Sequence, residues 1–209
     1  MNKQIFFTRL TRYALLAAFI LAPLALVRTG QAGTTRQGSD DATPQPKISV
    51  QPLLRFSDGS ALQGGGSLLA RTRSGIYMSF HSSGLTPGTV VTTWWAFFNK
   101  PKECATSPCT VADLNNPDVQ PSLLVATGRV VGADGTADFG AFRAEGDTTG
   151  AVFGPGLVNA MKAEIHLVVR THGAAILDDP QTLQAQLSTF NGGCPPNTCA
   201  NLQVSIHQP

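Results

Sequence analysis

Short apolar runs, each cut off by glycine or proline and none carrying a helix-length repeat, constrain this chain more than any other feature. The runs are "ISVQPLLRF", "GIYMSFH", "GTVVTTWWAFF", "LLVATGRVVGADGTADFGAF", "KAEIHLVVRTH", "LQAQLSTF" and "ANLQVSIH". Runs of this length with turn residues between them specify strands of an antiparallel all-β domain. A doubly wound α/β fold would need amphipathic helical segments between the strands, and none is written here. The expected architecture is a single β-sandwich over residues 47–209, Greek-key or Ig-like, with a short helical turn near "GPGLVNAM". The clearest hairpin is expected around Gly132 to Gly135, where Asp134 and Gly135 tolerate positive φ. Beyond that turn Ala137, Phe139 and Ala141 alternate with polar or small residues, giving one core face and one wet face.

The first 32 residues carry a basic start (Lys3, Arg9, Arg12), an apolar run from Tyr13 to Val27 broken by Pro23, and a small-residue exit at Gly30 and Ala32. That order reads as a secretory signal peptide cleaved after Ala32, since a spanning helix needs roughly 20 apolar residues. No stable membrane anchor is expected in the mature chain. Residues 33–46, "GTTRQGSDDATPQP", contain no large apolar side chain and read as a flexible leader. Cleavage removes four of the 15 basic residues and none of the 13 acidic ones, turning the formal net charge from +2 to −2. Lysine and arginine are scattered and outnumbered, which argues against nucleic acid as a partner.

All four cysteines lie in the mature part, as Cys104 with Cys109 and Cys194 with Cys199. An even count in an exported chain reads as disulfides, and the two local bridges are the expected connectivity among the three possible. A four-cysteine zinc site is the alternative, but its usual spacing is tighter and the compartment is oxidising.

Two stretches carry candidate function. In "AEIHLVVRTHG", Ile165, Leu167 and Val169 form a core-facing set, while Glu164, His166, Arg170 and His172 share the opposite face, read as solvated or charge-paired. Were that face a Zn or Cu site, Glu164 and His166, about 7 Å apart, would join His81 or His207 as ligands. His172 would stay outside it, roughly 20 Å from His166 along a continuous strand. In "TTWWAFFN" the alternation puts Trp94 and Phe98 on one face and Trp95 and Phe97 on the other, as in a central strand covered on both sides. An exposed aromatic platform for a sugar or an apolar partner is the alternative.

The stretch "SGLTPGTVVTTWWAFFN" resembles the turn-to-strand corner of fibronectin-III-type sandwiches, with Val91 standing where those modules carry tyrosine. A longer set of segments, "GLTPGTVVTTWWAFFN", "ATGRVVGADGTADFGAF", "AEIHLVVRTHG" and "CANLQVSIH", resembles a group of uncharacterised exported microbial proteins. Its middle portion is similar to the chordin-type domain, in which "TGxVxxxDG" precedes a Gly-Leu loop and an Ala-x-x-His strand. These segments span residues 84–207, and the resemblance implies an all-β exported domain without bringing an activity. No Gly-x-Ser-x-Gly elbow, phosphate-binding glycine loop or His-Glu-x-x-His motif is present. The expected function is therefore non-catalytic binding, without a cofactor, of a protein, glycan or small-molecule ligand. A metal-binding protein ranks second, and an enzyme with a spatially assembled site third.

The mature protein is expected to begin at Gly33 and to contain no free thiol. Intact-mass measurement before and after reduction and alkylation checks both points; four alkylatable cysteines in protein exported without reductant would contradict the disulfides.

Overall fold

The computed structural model describes residues 45–209, so the segment read as a signal peptide and nearly all of the leader lie outside the described residues. Nine strands follow in chain order: β1 (Lys47–Arg55), β2 (Ala61–Arg71), β3 (Gly75–Ser82), β4 (Thr89–Phe98), β5 (Pro121–Val130), β6 (Ala137–Ala144), β7 (Ala151–Phe153), β8 (Glu164–Ala174) and β9 (Ala200–His207). One helix, α1 (Pro180–Ser188), lies between β8 and β9, and three short 3-10 turns occupy the β4–β5 connection.

The strands form one antiparallel sheet in the order β6-β3-β2-β1-β9-β8-β4-β5-β7. The sheet curls until its ends approach: the guanidinium of Arg143 on β6 donates to the carbonyl of Val125 on β5 at 2.9 Å. Midway the ladder narrows, because β1 meets β9 only through Leu54↔Val204 and Arg55↔Gln203. The all-β class read from the sequence is thus present as a single curled sheet.

Curling encloses the main core, where Trp95 and Phe97 of β4 and Ile165, Leu167 and Val169 of β8 meet Leu69, Met78, Phe80 and Phe139 from the far side of the curl. The alternation expected along both strands holds residue by residue. On the opposite face Trp94, Ala96 and Phe98 pack with Val168, Val119 and Leu123 in a second, smaller cluster. Strand β4 is therefore covered on both sides, which accounts for its near-continuous apolar sequence.

Two local expectations are corrected. The turn at 132–136 closes, with the Thr136 carbonyl accepting from the Gly132 amide at 3.2 Å and Gly135 at φ 73°. Its flanking strands nevertheless part, β5 pairing with β4 and β7 while β6 pairs with β3. β5 runs along the ten-residue β4 and β6 along the full eight-residue β3, so the turn is a corner between the two ends of the sheet. The second correction concerns "LQAQLSTF", expected as a strand and found as α1 with its exit. Asp179 caps it by accepting from the amides of Gln181 and Thr182, Pro180 occupies the first turn, and straight-chain Gln and Leu favour the helix. The turn expected in "GPGLVNAM" is present as a single one, the Ala163 amide donating to the Asn159 carbonyl at 3.0 Å.

A buried cation ties the curl together. The Arg71 guanidinium on β2 donates to the carbonyls of Ala160 (2.6 Å) and Ala163 (2.8 Å) ahead of β8, and to those of His207 (2.9 Å) and Gln208 (3.1 Å) at the end of β9. Burial pushes its pKa down to about 10, leaving it charged at neutral pH.

Among the described residues the indole N–H of fully buried Trp95 has no hydrogen-bond partner. Trp95→Ala should therefore cost about 3–5 kcal/mol through the cavity it leaves. Trp95→Phe should cost clearly less, because it also removes a buried donor that nothing satisfies. Urea unfolding of the two variants checks the order.

Candidate functional site: the roofed outer face of β8

Glu164, His166, Arg170 and His172 share one face of β8, but that face is not solvated: they are 2%, 8%, 9% and 0% exposed. The reason is long-range. The loops after β4 and after α1, each clipped by a disulfide, fold over it. Both bridges are the local ones, Cys104–Cys109 and Cys194–Cys199, with Cα–Cα distances of 5.4 Å and 5.9 Å. Two disulfides fit an oxidising, exported environment. Among the described residues no helix is long and apolar enough to cross a membrane.

Each polar side chain holds a piece of this roof. Oε1 of Glu164 accepts from the Cys109 amide at 2.7 Å and lies 2.7 Å from Nε2 of His166, so one carboxylate oxygen both anchors the first loop and orients the imidazole. Arg170 donates to the Phe190 carbonyl at 2.8 Å and to Oδ1 of Asn201 at 3.0 Å, with its guanidinium 4.0 Å over the Phe190 ring. Burial lowers its pKa from the usual arginine value. His172 lies 3.0 Å through Nδ1 from the Gly192 carbonyl and 2.8 Å through Nε2 from the Thr92 hydroxyl. A carbonyl only accepts, so Nδ1 carries the proton and Nε2 accepts from Thr92, whose oxygen in turn accepts from the Trp94 indole at 2.6 Å. Burial, the leading cause, lowers the His172 pKa and favours this neutral form.

The candidate metal set does not converge. Glu164 and His166 are together, but His207 is directly opposite Ile165 and so belongs to the inner face, with its ring between the hydroxyls of Ser49 and Ser67 at 2.7 Å each. His81 is on β3 and pairs with Asp138 at 2.6 Å. Among the described residues the one group of three potential ligands is His172, Cys194 and Cys199, within 4.8 Å of one another. Its two sulfurs are bonded to each other in the second disulfide.

Between the two clipped loops the outer face leaves a cavity of about 160 Å³, walled by Phe56, Trp94, Phe98 and Phe190, with His166 and Asn201 at its margins. Trp94 meets Phe190 edge-to-face at 5.2 Å, and Phe98 meets the His166 ring at 4.8 Å. Val111, 60% exposed, stands at the mouth. Sequence reasoning found Trp94, Phe98 and His166 through strand alternation. It missed Phe56, Phe190 and Asn201, because no periodicity links residues from separate segments.

The buried His207 makes a pH prediction. Burial is the leading cause that pushes its pKa from the ordinary 6.5 to about 4, with the charges of Arg71 and His166 adding to it. A group depressed on folding stabilises the native state above pH 6.5, and that contribution is lost as pH falls from 6.5 through 4, about 3 kcal/mol in all. His172, also lowered, acts in the same direction. Stability measured from pH 7.5 to 4 should fall accordingly, and His207→Gln should flatten the slope.

Compared with family models, with curated proteins and with solved structures, the chain matches none of them.

Proposed function

We propose that this chain is an exported, non-catalytic binding domain whose ligand is a small apolar molecule held in the aromatic cavity on the outer face of β8. The observation that carries this reading is the cavity itself: about 160 Å³ walled by four aromatic rings, on a face otherwise roofed over. An apolar cavity of roughly 150 Å³ holds a benzene-sized molecule, whereas drug-sized ligands need about 300 Å³ or more. A single ring or a short branched chain therefore matches it. A glycan platform would need exposed aromatic faces, and Trp94 and Trp95 are buried. Separation of His81 and His207 from the Glu164–His166 pair weighs against the Zn or Cu reading. Cleavage of residues 1–32 and export belong to the same reading, and the two disulfides support the export. The narrow β1–β9 junction supports treating the curled sheet as two sandwich layers joined at a seam.

Binding of benzene, followed by ligand-observed NMR and by tryptophan fluorescence, tests the proposal. Dissociation constants from about 0.1 to a few millimolar are expected for so small a ligand. Ala96→Leu, which fills part of the cavity from β4, should keep the fold by thermal melting and lose binding. Equal binding to both proteins, or none to either, would overturn the reading.

A further inference from the structure

Resting on that cavity as the binding site, we infer that its ligand is a small hydroxylated aromatic ring, a free phenol, whose hydroxyl is read by His166. The His166 side chain is nine-tenths buried and lines the cavity. Its Nε2 is committed to Glu164 at 2.7 Å, and Glu164 is itself held by the Cys109 amide at 2.7 Å, so the ring is fixed from behind. Nδ1 has no hydrogen-bond partner among the described residues. Like the Nδ2 of Asn201, whose Oδ1 accepts from Arg170 at 3.0 Å, it belongs to a lining side chain that is oriented by a buried partner and is itself left unpaired among the described residues.

The chemistry of that nitrogen selects the ligand. A purely aliphatic or aromatic hydrocarbon would fill the space and cover Nδ1 without giving it a partner, an unfavourable outcome. A quaternary ammonium, the other ligand that aromatic walls favour, meets the Arg170 guanidinium already seated 4.0 Å over Phe190. A carboxylate would bring negative charge beside Glu164. A hydroxyl both donates and accepts, so it satisfies Nδ1 whether or not that nitrogen carries a proton. The remaining walls, Trp94, Phe98, Phe190 and Phe56, suit an aromatic ring through edge-to-face contact, and the volume admits one ring.

Phenol and toluene, of nearly equal shape, form the test on the full mature, disulfide-intact protein. Phenol should bind at least as tightly as toluene although its hydroxyl must leave water, and it should shift the His166 Nδ1 signal in 15N NMR while toluene does not. In His166→Phe the preference should move at least tenfold toward toluene. Toluene favoured tenfold or more by the wild type, with no shift at Nδ1, would overturn the phenol assignment and leave the cavity as a binding site. Failure of both probes to bind would overturn both readings. If His166→Phe does not fold, the two wild-type measurements still decide. Binding of N-acetyltyrosinamide more tightly than p-cresol would point to the tyrosine of a peptide and overturn the assignment to a free ligand.

Discussion

Burial of the β4–β8 pair on both faces is the constraint from which the rest of the molecule follows. Trp95, Phe97, Ile165 and Leu167 point one way and Trp94, Phe98 and Val168 the other, so a single flat sheet would leave one set in water. Curling the sheet covers the inner set, with β2, β3 and β6 brought round to face β4 and β8. Nothing in the sheet is left to cover the outer set. Irregular chain must do it, and irregular chain carries backbone amides and carbonyls that need partners once they are buried.

The charged and polar face of β8 supplies several of those partners. Glu164 accepts a loop amide, while Arg170 and His172 donate to loop carbonyls. A strand face of Leu or Val could have packed against the roof but could not have satisfied its backbone. Arg71 plays the matching part inside the curl, where one guanidinium meets four carbonyls, three of them (Ala160, Ala163 and Gln208) outside any strand. Charges here serve as joints between regular and irregular structure. Such a roof fits its sheet imperfectly, and the gap between its two halves is the cavity.

What the sequence made legible was whatever one strand or one loop decides alone. Alternation in "TTWWAFFN" and "AEIHLVVRTHG" assigned every side chain to its correct face, and the spacing of the cysteines indicated the two bridges. It failed where a distant segment decides. Glu164, His166, Arg170 and His172 carry the composition of a wet face, and only the arrival of the loops buries them. The turn at Gly132–Gly135 has hairpin chemistry, yet the partners of β5 and β6 are chosen across the fold. For α1, the capping Asp179 and the following Pro180 were a readable signal, and the apolar spacing of "LQAQLSTF" obscured it. Half of the cavity wall comes from residues whose neighbours in sequence carry no hint of it.

The cysteine spacing bears on how the protein acquires its bonds. Each bridge joins residues five apart in sequence, whereas crossing the pairs would close a stretch of roughly 85 residues or more, so chain statistics alone favour the native pairing by about 2 kcal/mol. That bias exists in the unfolded chain, before any strand has found its partner. An oxidant that introduces disulfides indiscriminately would therefore make the correct isomer in most molecules, and oxidative maturation should depend little on an isomerase to shuffle wrong bonds.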